Sequence, residues 1–237
     1  FWLPPAHANA PAPVSAVLSA LVVKASFYVL LRLWLTVFPS LISPFSVELL
    51  GIMAAAAVLW GSVQALTADR LKMMVAYSTV AQIGYLFLIF PLSRLTQGSQ
   101  AALQGGLYLV FSHACAKAAV FLTAGTVIHV FGHDRIARLD GIVRQMPVSM
   151  FAFGLAGTSL IGLPPSGGFI AKWLYLNAAL TNGQWWWCVL ILGGGLLSGA
   201  YIFRFFSISF ANKEGYTPER PAPIVLEWTA LGLALCA

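Results

Sequence analysis

Residues 147–181 read PVSMFAFGLAGTSLIGLPPSGGFIAKWLYLNAALT, helical in character except at Gly162-Leu163-Pro164-Pro165-Ser166-Gly167-Gly168. Two adjacent prolines remove two backbone donors, and the glycines loosen the turn after them. The stretch predicts a broken helix with Pro164, Pro165, Gly167 and Gly168 as its hinge. Unwound backbone inside a bilayer is tolerated only where it is buried in protein or lines a wet cavity. A plain turn between two short re-entrant helices is the simpler alternative.

The surrounding sequence calls for a bilayer. Of 237 residues, 59% are hydrophobic and only 8% charged, and the mean hydropathy is +0.85, so the chain cannot clothe itself in the mixed charged surface of a soluble domain. Apolar runs near 13–37, 46–67, 70–91, 101–130, 147–181, 185–211 and from 222 onward approach or exceed the roughly 20 residues that cross a hydrocarbon core of about 30 Å. The fold class is all-α, a polytopic transmembrane bundle of about seven helices, one of them broken, forming a single domain over 1–237. Pro11-Ala12-Pro13 opens the first span, where a proline in the first turn loses no hydrogen bond.

The net charge of +6 does not imply nucleic acid, because the loops are too short to gather a basic surface. Counted alternately, the loops put Arg70, Lys72, Arg135, Arg138, Arg144, Lys213 and Arg220 on one side and Arg32 and Arg94 on the other, which assigns the first side to the cytoplasm. The segment from His129 to Met146 reads as solvated surface, His7 and His133 as surface histidines, and Trp185-Trp186-Trp187 as an interfacial belt. Cys115, Cys188 and Cys236 lie in apolar runs without ligand spacing and read as small core residues, so neither a metal site nor a disulfide framework is implied. The chain opens on Phe1-Trp2-Leu3-Pro4-Pro5 without a charged leader, and its last apolar run, 222–237, falls short of a full span. Both ends suggest a fragment of a longer membrane protein.

Against this apolar background the ionisable residues stand out. Lys24 sits near the middle of the first span, Lys117 near the middle of the fourth with His113 one turn before it on the same face, and Lys172 soon after the break. Each such lysine costs about 2.5–3.5 kcal/mol to insert, so three on separate helices imply a hydrated or polar interior. An amine out of water gives up its proton more readily, and a neighbouring negative charge holds it on, so such groups can carry protons between states. His113, an imidazole with an ordinary pKa of about 6.5, can bridge them. Ser78, Thr79, Gln82 and Tyr85 recur on the third span at helical spacing and offer an accessory path, the alternative being ordinary interhelical hydrogen bonding. His129, near a helix end, is a candidate for exchange with water. No phosphate loop, cysteine cluster, haem motif or nucleophile elbow is present.

Four stretches carry a resemblance: Trp2-Leu3-Pro4-Pro5-Ala6-His7 through Pro11-Ala12-Pro13-Val14-Ser15-Ala16; Ala76-Tyr77-Ser78-Thr79-Val80-Ala81-Gln82-Ile83-Gly84-Tyr85; His113-Ala114-Cys115-Ala116-Lys117-Ala118; and Gly162-Leu163-Pro164-Pro165 through Gly168-Phe169-Ile170-Ala171-Lys172. In their order and spacing the chain resembles the antiporter-like subunits shared by respiratory complex I, membrane-bound hydrogenases and Mrp-type cation/proton antiporters. The resemblance implies two inverted repeats, each with a broken helix, of which this chain is the second. It implies that Lys24 connects two half-channels, that His113 and Lys117 form a central relay, and that Lys172 is the terminal lysine. It also implies a glutamate–lysine pair on helices that would precede Phe1. Three positions depart from the pattern: Leu109 stands where some members carry a second histidine, Lys172 where others have glutamate, and Pro5 where aspartate is usual.

The function these readings imply is proton translocation along a buried Lys/His relay, as a membrane subunit of a complex I-like, redox-driven pump. An Mrp-type sodium/proton antiporter subunit is the alternative within the family, and a non-transporting membrane scaffold the alternative outside it. The expected partners are other membrane subunits and lipid, with protons or monovalent cations as cargo and no nucleic acid. No cofactor is expected in this chain; redox cofactors belong on partner subunits of an NADH-quinone oxidoreductase-like or hydrogenase-like translocase. The expected location is the bacterial cytoplasmic membrane or an equivalent energy-coupling membrane.

Overall fold

The computed structural model describes residues 2–93, 99–211 and 220–237; Arg94 and Lys213 lie outside them. We number the principal helices α1 (Leu3–Asn9), α2 (Ala12–Val37), α3 (Pro44–Thr67), α4 (Leu71–Leu92), α5 (Ser99–Phe131), α6 (Pro147–Ile161), α7 (Gly167–Thr181), α8 (Trp185–Ser209) and α9 (Ile224–Leu235). Helices α2, α3, α4, α5 and α8 are each long and apolar enough to cross a membrane. The chain is an all-α membrane bundle, and among the described residues the extended pairing is one isolated bridge between Arg70 and Arg135.

Local chemistry sets the helix ends. Ser43 caps α3 through a reciprocal bond with Ser46, with Pro44 in the first turn where its missing donor is harmless. Pro13 and Pro147 start α2 and α6 in the same way. Gly162, at φ +88°, ends α6 in the left-handed conformation that side chains resist. Ser166 then caps α7 by accepting from the amide of Phe169 at 3.2 Å. Between them lie Leu163, Pro164 and Pro165, all exposed. Gly162 has a second reason to be glycine: a Cβ there would stand 2.6 Å from Cδ of Lys172.

Helices α4 and α5 form the centre. Of their most apolar windows 72% and 67% is buried, against 33% for α2, α3 and α8, which face lipid or further protein on their outer sides. Helix α3 comes so close to α4 that a Cβ on Gly61 would meet the Ala81 backbone nitrogen at 2.6 Å, and one on Gly84 the Ala54 carbonyl at 2.6 Å. Small residues permit such close packing where lipid gives no hydrophobic drive to association. The apolar core falls into two clusters, and α2, α3, α4, α5, α8 and the broken α6–α7 pair all pass from one to the other. Helix α2 crosses between Ala16 and Phe27, α4 between Ala76 and Tyr85, and α5 between Leu109 and Ala116; the broken pair crosses between Leu160 and Ala171.

Several residues sit differently from the sequence reading. His7 is not a surface residue: it is fully buried and stacked on Phe121 with ring centroids 4.6 Å apart, because α1 folds into the bundle. His133 is half-buried. The segment after α5 is not a solvated loop, since Asp134, Ile136, Leu139, Ile142 and Met146 are buried. Its Asp134 caps the head of α4, accepting from Arg70 Nε at 2.8 Å and from the Lys72 amide at 3.2 Å, while its carbonyl takes the Leu71 amide at 2.8 Å. Lys72 is likewise no loop charge. It is buried, and its amine donates to the carbonyls of Ala8 and Ala10. The cysteines are not core residues: Cys115 and Cys188 are half-buried and Cys236 exposed, because lipid accepts an apolar side chain as readily as the core does. Of the three tryptophans, Trp185 and Trp186 are exposed, but Trp187 is buried against Gly51.

Two outcomes are expected for stability in detergent. Asp134→Ala leaves an amide and a guanidinium without their acceptor, so it should lower the thermal midpoint by the equivalent of about 1–3 kcal/mol, whereas Asp140→Ala on the same segment should leave it nearly unchanged. Gly162→Ala forces a side chain into a left-handed backbone and onto Lys172, and thermal unfolding should register a loss of about 1–2 kcal/mol.

Candidate functional site

The polar side chains gather on α2, α4, α5 and α7, between the two apolar clusters. Lys24, Ser78, Thr79, Gln82, Tyr85, His113, Lys117 and Lys172 are all buried, and Lys117 is among the largest side chains with essentially no exposure. The structure brings all of these together and leaves His129, exposed near the end of α5, apart from them.

Lys24 comes just after a π-helical turn, Leu18–Val22. Such turns widen a helix and recur at functional positions. The Lys24 amine donates to the Ser19 carbonyl at 2.5 Å, and the Ser19 hydroxyl bonds that of Thr79 on α4 at 3.1 Å. Thr79 donates to the Val75 carbonyl at 3.1 Å, as does Ser78 at 2.8 Å. Lys117 reaches the same carbonyl at 3.0 Å and the Ser78 hydroxyl at 2.5 Å. One turn before it, His113 is sealed in the core with neither ring nitrogen hydrogen-bonded to a described residue, and the charges of Lys24, Lys117 and Lys172 all act on it.

The far end of the cluster is built on the helix break. The Lys172 amine donates to the carbonyls of Leu160 at 3.1 Å and Ile161 at 2.7 Å, the last residues of α6, so a cation meets the negative end of a helix dipole. Its amine also stands 4.5 Å from the centroid of the Tyr85 ring, a cation–π contact. Gln82 donates to the same Leu160 carbonyl at 2.9 Å, and the Tyr85 hydroxyl to the Ile191 carbonyl at 3.1 Å. Helix α4 thus touches the partners of all three lysines: Ser19 of Lys24 through Thr79, Val75 and Ser78 of Lys117, and Leu160 of Lys172 through Gln82.

Three buried groups near the cluster were missed or misplaced by the sequence reading. The Ser19 hydroxyl looks like one more small residue in an apolar run. The hydroxyl of Tyr201, on α8, is buried beside Ser78, Gln82 and Ser198. His7 lies in a proline-rich stretch that carries no membrane signal; burial first, and then the charges of Lys117, Lys72 and Lys24, hold its imidazole at about 4. Among the described residues no cluster of three His, Cys, Asp or Glu side chains assembles a metal site.

Residues 1–198 match the family described as NADH:quinone oxidoreductase/Mrp antiporter, TM. The NADH-quinone oxidoreductase subunit N of Desulforudis audaxviator is 38% identical over 227 residues, covering 94% of this chain and 44% of that protein. A Na(+)/H(+) antiporter subunit of Bacillus subtilis is 28% identical over 219 residues, covering 92% and 43%. Among solved structures, respiratory complex I from Thermus thermophilus with bound Aureothin contains a chain that superposes with a TM-score of 0.77 at 29% identity, over 99% of this chain and 50% of that one. The Mrp complex from a Dietzia species gives a TM-score of 0.88 at 22% identity over 99% and 51%, a likeness of fold. The chain spans about half or less of the length of these relatives' subunits. By the match over most of its length, it belongs to the NADH:quinone oxidoreductase/Mrp antiporter transmembrane family.

Proposed function

We propose that this chain is the proton-conducting part of an antiporter-like membrane subunit in a larger, redox-driven complex. The observation that carries the reading is the set of three buried lysine amines on α2, α5 and α7, joined by the polar face of α4. Each amine rests on carbonyl or hydroxyl oxygens, and none has a carboxylate within ion-pair distance among the described residues. A lysine held by neutral acceptors can lose its proton without stranding a buried anion, which a lysine locked to a carboxylate cannot do.

In this reading a proton on Lys24 passes toward Lys117 through the hydroxyls of Ser19, Thr79 and Ser78. His113, within the field of all three lysines, offers a second acceptor beside Lys117. Onward transfer runs past Gln82 and Tyr201 to Lys172, whose discharge couples to whatever covers the exposed break at Leu163–Pro165. Repulsion between the lysine charges makes occupancy of one position unfavourable to the next, so a charge arriving at one end drives a proton from the other. Redox cofactors would sit on partner subunits, and the complex would lie in an energy-coupling membrane.

Protons suit this interior better than sodium. Among the described residues the buried carboxylate is Asp134, which is committed to Arg70 and the head of α4. Glu48 and Asp69 are exposed, and Glu227 accepts from the Ser149 hydroxyl at 2.7 Å. Sodium prefers a cage of oxygen ligands, whereas this layer is lined with amines. The second reading, a sodium/proton antiporter subunit, draws on the similarity to the antiporter subunit of Bacillus subtilis.

Lys117→Met removes a buried charge but keeps the volume. In the full-length protein it should assemble normally and keep or raise its thermal midpoint, since burying the amine costs about 2.5–3.5 kcal/mol, while coupled proton transport into liposomes falls at least about tenfold. Lys172→Met should do the same. Undiminished proton transport in both variants would sink the relay. Mass spectrometry of the native complex separates the two settings: flavin- or iron–sulfur-bearing subunits are expected for the redox-driven pump, and small hydrophobic companions alone would favour the antiporter.

A further inference from the structure

Among the buried titratable groups that the relay does not use is an imidazole. His7 is fully buried, its ring lies against Phe121 at an interplanar angle of 24°, and neither ring nitrogen has a hydrogen-bond partner among the described residues. A buried polar atom left unpaired is destabilising. A phenylalanine would keep the stack without that cost, so packing alone gives no reason for an imidazole here.

The position supplies one. Phe121 stands one helical turn beyond Lys117 on α5, so the stack lays His7 along the face that carries the central lysine. On the other side is Lys72, two residues beyond the half-exposed Arg70 at the head of α4. The Lys72 amine holds the carbonyls of Ala8 and Ala10, the residues just past His7, and the Ser15 hydroxyl donates to the His7 carbonyl at 3.0 Å. Helix α1 is thereby pinned, with its ring between the aqueous end of the bundle and the relay. The charged groups that act on the ring are Lys117, Lys72 and Lys24, all basic, from α5, α4 and α2.

We propose that His7 is the proton-uptake station of the relay, taking protons at the Lys72 end of the bundle and delivering them to Lys117. The proposal rests on the relay reading above. The neutral ring has one bare nitrogen and one N–H. The bare nitrogen, closed off from solvent in this state, takes a proton from a water admitted from the Lys72 end, the opposite nitrogen gives its proton to an uncharged Lys117 amine, and the ring turns or re-exchanges to its first tautomer. One proton enters and one leaves, with no other bond changed. Because a charged Lys117 repels a charged imidazole, His7 loads only after Lys117 has passed its own proton onward, and that ordering makes uptake one-way.

The test uses the full-length protein in its native complex, reconstituted into liposomes, with His7→Phe, His7→Gln and Lys117→Met compared for assembly and for proton transport from about pH 6 to about pH 9. His7→Phe keeps the stack, and His7→Gln keeps hydrogen-bonding atoms; neither titrates. Both should assemble and lose about tenfold or more of the transport rate, with the deficit growing as pH rises and protons on the uptake side become scarce. Wild-type transport by His7→Phe or His7→Gln across this range, beside a defective Lys117→Met, would overturn the uptake role and leave the relay standing. Wild-type transport by Lys117→Met would remove the relay itself. A loss of assembly in both His7 variants would make the residue structural and overturn the proposal.

Discussion

An ammonium group inside a lipid-solvated bundle must find oxygen, and most oxygen in a helix is already committed to the helix's own ladder. This constraint organises the molecule. Lys24 takes the carbonyl of Ser19 from a widened π turn, and Lys172 takes the carbonyls of Leu160 and Ile161 where α6 stops. Both amines depend on an interruption of regular helix. Lys117 has no interruption beside it and instead shares the Val75 carbonyl with two side-chain hydroxyls. The helix break, the π turn and the polar face of α4 are three answers to one problem of solvation.

In the proposed relay, neutral acceptors let buried charge and proton transfer coexist. Isolated ion pairs would lower the cost of burial but fix each proton in place, while unpaired amines in an apolar core would not stay charged at all. Carbonyl and hydroxyl oxygens lie between these extremes. The apolar clusters flank the layer on both sides, and the close packing of α3 on α4 at Gly61 and Gly84 leaves little room along that side.

The parts legible in the sequence are those with a large local cost. A lysine within an apolar run and a Gly-Leu-Pro-Pro interruption each violate a strong local rule, and Lys24, Lys117, Lys172 and the break could be read directly. Partnerships across the chain could not. Asp134 looked like one charge in a mixed loop because Arg70, its partner, lies 64 residues earlier, and His7 looked exposed because its local stretch is rich in proline and its ring partner, Phe121, is on α5. Cys115 and Cys236 mark another limit: when lipid and core are equally apolar, hydropathy cannot tell which of them a side chain meets. The π turn before Lys24 has no compositional mark, since Leu18–Val22 is as ordinary a helical stretch as its neighbours.

The clamp at the head of α4 bears on how the bundle could move. Asp134 holds Arg70 and the Lys72 amide, and backbone bonds tie Leu71 to Asp134 and Ile136 to Asp69. So fastened, α4 has no freedom to slide along its own axis relative to that segment. It keeps the freedom to tilt and to turn. Because one helix face serves the partners of all three lysines, a small rotation would alter the three contacts together, so that α4 behaves mechanically as a camshaft with a single bearing.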